Sequence, residues 1–172
     1  MAASTPRVYV GTYAKYNAGD LTGAWLDLDD YSDKDEFLAA CAELHKDEDD
    51  PELMFQDHEG IPAAFYGESY IADGLWDWIA LDEHDRELLA VYTSEIDTDG
   101  TIETARDAFL GKYDSAEDWA EEWLEESGTL SEVPESLRIY IDFAAYARDC
   151  GYNGDVTFID RGYHDTWVFQ NR

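Results

Sequence analysis

The stretch Ser115–Gly128, S-A-E-D-W-A-E-E-W-L-E-E-S-G, places two opposed surfaces on one helix. Ala116, Trp119, Ala120, Trp123 and Leu124 recur at helical spacing and form an apolar stripe. Glu117, Asp118, Glu121, Glu122, Glu125 and Glu126 fill the rest of the circumference. Ser115 with Asp118 three residues on has the form of a capping box, and Gly128 stands where a helix C-cap would. The stripe requires a core to dock on. The acidic face works against the helix. Pairs 117/121, 118/122, 121/125 and 122/126 are like charges at i,i+4, each costing roughly 0.2–0.5 kcal/mol. Glu125 and Glu126 also lie at the negative end of the helix dipole, where a cation is preferred. Nothing local compensates, so the charge answers to something outside the chain.

The same bias runs through all 172 residues: 41 acids against 11 bases, a net charge of −30. With 45% hydrophobic and 15% aromatic residues the chain is too apolar for a disordered acidic tail and should fold. Three readings of the charge compete. The acids solvate a protein living in high salt, or they collect cations, or they imitate the field of a polyanion. Duplex DNA carries one charge per about 1.7 Å of axis, so −30 equals the charge on very roughly 15 base pairs. Such a chain is not expected to bind nucleic acid itself. Its natural partners are basic surfaces, including the DNA-binding clefts of other proteins. Low lysine with high Asp and Glu fits halophilic solvation as well.

Arg7–Tyr13 and Gly23–Leu28 read as strands, with a loop at Asn17–Gly19. Ser32–Lys46 reads as an amphipathic helix presenting Phe37, Cys41 and Leu44, and Glu52–Gln56 as a third strand. Past Gly60–Pro62 the period becomes helical through Ile96, with few strand signals. Thr101–Leu110 reads as a helix and Gly111–Asp114 as a candidate short strand. Pro134–Asp149 is a helical stretch that admits a break at Asp142, with Leu137, Tyr140, Ile141, Ala144 and Ala147 on its apolar face. Val156–Ile159 and Trp167–Phe169 suggest a hairpin around Arg161–Gly162. The acids recur on nearly every element.

Glu95–Arg106, E-I-D-T-D-G-T-I-E-T-A-R, nearly matches a calcium-binding EF-hand loop. Position 12 needs a bidentate glutamate and holds Arg106, so a turn between helices is the better reading. The four histidines are scattered, with no Cys or His at metal-ligand spacing. No nucleophile elbow and no phosphate-cradling glycine loop is present. Trp76 with Trp78, or Trp119 with Trp123, could stack on a sugar or base, but at helical spacing beside aliphatics they read as core. Cys41 and Cys150 read as two buried free thiols. Without a signal peptide or a membrane-length apolar run, a soluble cytoplasmic protein is expected.

Four blocks resemble the ArdA antirestriction family: R-V-Y-V-G-T-Y-A-K-Y-N-A-G-D (7–20), W-L-D-L-D-D-Y-S-D-K-D-E-F (25–37), D-P-E-L-M-F-Q-D-H-E-G-I-P (50–62) and V-P-E-S-L-R-I-Y-I-D-F-A-A-Y-A-R-D (133–149). The likeness spans most of Arg7–Phe169 and is looser over Ser94–Lys112 and from Gly151 onward. The resemblance implies a small acidic DNA mimic encoded on a mobile genetic element. It would enter the DNA-binding groove of a type I restriction–modification enzyme, at its methyltransferase core, and block it. It also implies a homodimer joined through the C-terminal domain, with no enzymatic activity and no cofactor.

The expected fold is therefore α+β, an elongated chain of three small domains. Residues 1–60 would form an N-terminal sheet plus helix, 61–100 a central helical domain, and 101–172 a C-terminal α+β domain carrying the acidic helix and the dimer contact. The candidate phosphate-mimicking carboxylates are Asp27, Asp29, Asp30, Asp33, Asp35, Glu36, Asp47, Glu48, Asp49, Asp50, Asp82, Glu83, Asp114, Glu117, Asp118, Glu121, Glu122, Glu125 and Glu126. The antirestriction motif of the family corresponds most closely to Leu137–Asp149, with Leu137, Tyr140, Ile141, Asp142, Phe143, Tyr146 and Asp149 as its matched residues. The alternative is a halophilic or cation-binding acidic structural protein.

Overall fold

The computed structural model describes residues 5–171 and shows a mixed α+β protein. The chain divides into two compact units, Met1–His84 and Asp85–Arg172. In the first, strands β1 (Arg7–Thr12), β2 (Ala24–Asp27) and β3 (Leu53–Glu59) form an antiparallel sheet in the order β2-β1-β3. The R-V-Y-V alternation buries Val8 and Val10 completely. Two helices belong to this part of the chain, a short α1 (Tyr13–Asn17) and the longer α2 (Lys34–Leu44). Helix α2 lays Phe37 and Cys41 in the same core, with Leu28, Phe55, Ile61, Ile71 and Leu75. Asp33 caps α2 by accepting from the Glu36 amide at 2.9 Å, and Glu36 reaches back to the Ser32 amide at 2.7 Å. Cys41 is a free thiol, and burial pushes it up to about 12, so it packs as a small neutral apolar group. Cys150 is also free but only half-buried.

Two stretches depart from the sequence expectation. Tyr13–Asn17 is helical, as α1, although the strand pattern runs on through Tyr13 and the expected loop begins at Asn17. Thr12 stops the strand by capping that turn, its hydroxyl accepting from the Lys15 amide at 3.2 Å. The helical period expected after Pro62 is interrupted by a small hairpin, β4 (Tyr66–Gly67) and β5 (Tyr70–Ile71). A Cβ at Gly67 would lie 2.1 Å from the ring of the exposed Tyr70, so glycine leaves that ring room to lie across the hairpin. Helices α3 (Leu75–Ile79) and α4 (Glu83–Glu95) follow. The packing of this central stretch is split. Ile61, Ile71 and Leu75 join the first core, and Leu88, Val91 and Tyr92 join another.

The second unit contains α5 (Ile102–Ala108), β6 (Phe109–Tyr113), α6 (Ala116–Glu126), α7 (Glu135–Arg138), α8 (Phe143–Asn153), β7 (Val156–Asp160) and β8 (Thr166–Gln170). Its antiparallel sheet runs β6-β8-β7, with β8 in the middle. Alternation on β8 fixes the layers. Trp167 and Phe169 pack with Leu88, Val91 and Tyr92 of α4 and Ala105 and Ala108 of α5. Val168 packs with Trp119 and Ala120 of α6 and Ala147 of α8. A strand covered on both faces reads as an unbroken apolar run, which explains W-V-F.

The EF-hand-like segment is a turn between α4 and α5. Thr101 caps α5 in a reciprocal box with Thr104, the Thr101 amide donating to the Thr104 hydroxyl at 2.9 Å. Arg106 instead grips the buried Asp85 carboxylate with two hydrogen bonds, one of them from Nε at 3.2 Å. Among the described residues no group of three or more His, Cys, Asp or Glu side chains could hold a metal ion. No described helix is long and apolar enough to cross a membrane.

Candidate functional site

Helix α6 forms as its sequence dictates. Ser115 is the N-cap, its hydroxyl accepting from the Asp118 amide at 3.1 Å and donating to the Asp118 carboxylate. Gly128 follows the helix with φ of 78°, the left-handed conformation that closes a C-terminus. Trp119, Ala120 and Leu124 are buried. Trp123 is not: it is 45% exposed, stacked on Trp119 with ring centroids 6.0 Å apart. The stripe read from sequence is therefore core at four of its positions or their margins and surface at the fifth. Glu117, Glu121, Glu122, Glu125 and Glu126 are all exposed, and among the described residues none has a hydrogen-bond or ion-pair partner on its side chain.

The few bases are spent elsewhere. Arg7 pairs with Glu59, Lys34 with Asp73, Lys46 with Glu43 and Arg106 with Asp85. Lys112 and Arg161 converge on Glu87 at 3.4 and 2.7 Å, and together hold its carboxyl below the usual range against the opposing effect of burial. Lys15 bridges Asp47 at 3.0 Å and Glu48 at 3.7 Å, and its ammonium is raised mainly by the hydrogen bond to Asp47. Its amine also meets Nδ1 of the buried His45 at 3.0 Å. The result is an uneven surface in which the outer face of α6 keeps its whole charge.

The remaining predicted carboxylates are exposed too, apart from the half-buried Glu48. Some already have structural work. Asp33 and Glu36 cap α2, and Asp114 faces His164 at 3.1 Å. Asp47 and Glu48 are held by Lys15 as described, and Glu48 also accepts from the Thr12 hydroxyl at 2.7 Å. Asp27, Asp29 and Asp30 cluster around the turn after β2, and Asp35, Asp49, Asp50, Asp82 and Glu83 lie at or near the ends of helices or on the loop after α2.

The matched motif residues run from α7 (Leu137) through the link (Tyr140, Ile141, Asp142) into α8 (Phe143, Tyr146, Asp149), and α8 packs directly against α6. Asp142 ends the break and caps α8, accepting from the Ala145 amide at 2.9 Å. Phe143 and Tyr146 are half-buried against the α6 core, and Asp149 is exposed beside Arg148 at 3.6 Å. The apolar face expected for the whole stretch is corrected here. Of that face only Ala147 is buried, whereas Leu137 is 53% and Tyr140 77% exposed. Ile139, which the helical period does not single out, is 80% exposed. Breaking the helix at Asp142 changes the phase of the two halves, so a single 3.6-residue period cannot assign both.

A protein-family model described as antirestriction protein (ArdA) matches residues 8–165 of the chain. No curated protein matches.

Proposed function

This chain belongs to the ArdA family of antirestriction proteins, and from that premise we propose that it acts as a mimic of duplex DNA, occupying the DNA-binding groove of type I restriction–modification enzymes. The observation that carries this reading is the α6 face, five exposed glutamates with no cation among the described residues. Carboxylates at i,i+4 rise about 6 Å along a helix. One DNA strand carries a charge about every 3.4 Å of axis, so such a ladder meets roughly every second phosphate position. Binding then comes from neutralising a basic groove, is fast and steered, and uses no base readout. The chain acts as a stoichiometric inhibitor, not an enzyme, and needs no cofactor. The same reading puts its action in the cytoplasm.

A competition titration tests this. The methyltransferase core of a type I enzyme is loaded with labelled target duplex, and the protein is added at two salt concentrations. Displacement near stoichiometry that weakens as salt rises is expected. No displacement at large excess would return the charge to solvation or cation binding.

We further propose that the exposed Leu137, Ile139 and Tyr140 are covered by a second copy of the chain. Within four consecutive residues, three large apolar side chains are 53%, 80% and 77% exposed on a chain of net charge −30. Two copies carry about −60, the charge of about 30 base pairs. Replacing Ile139 and Tyr140 by aspartate should convert a dimer into a monomer by light scattering. Because both side chains are exposed on the single chain, the monomer should keep its fold by circular dichroism, and its melting temperature should no longer depend on protein concentration. A variant that keeps dimer mass would remove this patch from the interface.

A further inference from the structure

Between α6 and α8, at the edge of the sheet, lies a cavity of about 240 Å³. That is below the roughly 300–1,000 Å³ of sites for small molecules and cofactors, and suits a single side chain. Trp119, Trp123 and Tyr146 line it, with Cys150, Asp155 and Gln170. The three rings are nearly parallel: Trp123 lies 18° and Tyr146 23° from the plane of Trp119. Tyr146 is half-buried against the α6 core, its ring centroid 6.5 Å from that of Trp119. Asp155 is exposed, and among the described residues its carboxylate has no hydrogen-bond or ion-pair partner.

Elsewhere the chain fills such sites itself. Arg7 stands over the Trp25 ring at 4.7 Å, and Lys112 and Arg161 stand over Trp167 at 4.1 and 4.9 Å. Among the described residues no cation lies over Trp119 or Trp123, although Trp123 is 45% exposed. Stacked indole faces with a free carboxylate beside them complement a planar, weakly hydrated cation better than a compact ammonium. A groove built to hold phosphates is rich in such groups.

We propose that this cavity receives one arginine side chain from the basic groove of the partner enzyme, its guanidinium stacking on the exposed Trp123 ring, which the buried Trp119 backs, and pairing with Asp155. The proposal rests on the DNA-mimic reading for the identity of the partner. It adds to that reading a specific socket, where duplex DNA offers only phosphates.

Two measurements test it. The first uses the full chain alone, with the indole nitrogens labelled, titrated with N-acetyl-arginine amide and with its neutral citrulline counterpart. The arginine compound should shift the Trp119 and Trp123 indole signals saturably and leave Trp25 and Trp167 unmoved. Trp123→Leu should abolish the response and Asp155→Asn should weaken it. Equal shifts with citrulline, or none at Trp123, would overturn the proposal. The second repeats the DNA displacement with Trp123→Leu and Asp155→Asn, each expected to need roughly tenfold more protein. If Trp123→Leu fails to fold, the exposed Asp155→Asn decides alone. Undiminished displacement by the folded variants would sink the socket while the mimic reading stands. Failure of the wild-type chain to displace DNA would instead strike the mimic reading, and the titration would still decide whether the cavity takes a guanidinium.

Discussion

Replacing Glu117, Glu121, Glu122, Glu125 and Glu126 together by glutamine should weaken inhibition about 100-fold and at the same time raise the melting temperature. The two effects have separate causes. Each exposed charge contact with a partner contributes about 0.5 kcal/mol, so five lost contacts come to about 2.5–3 kcal/mol, or about 100-fold. Within the chain the same residues take part in every like-charge i,i+4 pair on α6. Neutralising them relieves about 1–2 kcal/mol. Glutamine has nearly the helix propensity of glutamate, so the helix itself is not weakened. Asp118 is left in place because Ser115 and the cap depend on it. For a unit of this size the gain corresponds to about 5 °C or more. Competition titration and a thermal melt on one preparation check both halves. Salt dependence should also flatten, since fewer charges are matched. The single change Glu121→Gln should cost little, about twofold, because many weak contacts share the interaction. Unchanged inhibition by the fivefold variant would remove α6 from the contact surface. Lost inhibition with lowered stability would mean that the carboxylates hold the fold, contrary to their lack of partners.

The unpaired acidic face of α6 was legible in the sequence, because like charges at i,i+4 with no compensating base follow from spacing alone. Strands β1, β2 and β3, helix α2 and the β7–β8 hairpin were legible for the same kind of reason: each has a clean period over its length. The hairpin at Tyr66–Ile71 was not. Ile71, Leu75 and Ile79 fall four residues apart and extend a helical period back to this stretch, whereas the hairpin is made by pairing across it, Tyr66 with Ile71 and Gly67 with Tyr70. The exposure of Trp123, Ile139 and Tyr140 was hidden as well. A sequence period assigns a face to a helix but not the width of the surface that covers it. Helix α8 shields Trp119 and leaves Trp123 at the rim, beside a cavity whose far wall, Tyr146 and Asp155, lies more than twenty residues further along the chain. The destinations of the bases were equally invisible, since ten of the eleven Lys and Arg lie outside the four residues flanking α6 on either side.

Trp167→Ala should be the most damaging single substitution in the second unit. Trp167 is completely buried at the centre of β8. Its ring packs against Phe109 at 5.2 Å and Phe169 at 6.4 Å, and its indole N–H donates to Asp165 at 2.9 Å. Truncating a buried tryptophan removes its transfer energy and leaves a cavity, about 3–5 kcal/mol in all. Here two further losses accompany it. Asp165 loses its donor, and Lys112 and Arg161 lose the ring they stand over, leaving only their shared pair with Glu87. A unit of this length has a total stability of about 4–13 kcal/mol. The variant should therefore melt about 15–30 °C lower and lose near-ultraviolet circular dichroism first. Trp167→Phe keeps the ring face and should recover most of the loss. An unfolding free energy for Trp167→Ala, from urea titration, within about 1 kcal/mol of wild type would show that this core does not depend on the Trp167 side chain. Inhibition should also fall for Trp167→Ala, because α6 is anchored on this sheet through Val168. The sign of the stability change separates the causes. Removing the carboxylates loses inhibition from a firmer fold, whereas removing Trp167 loses it because the surface that displays them is gone.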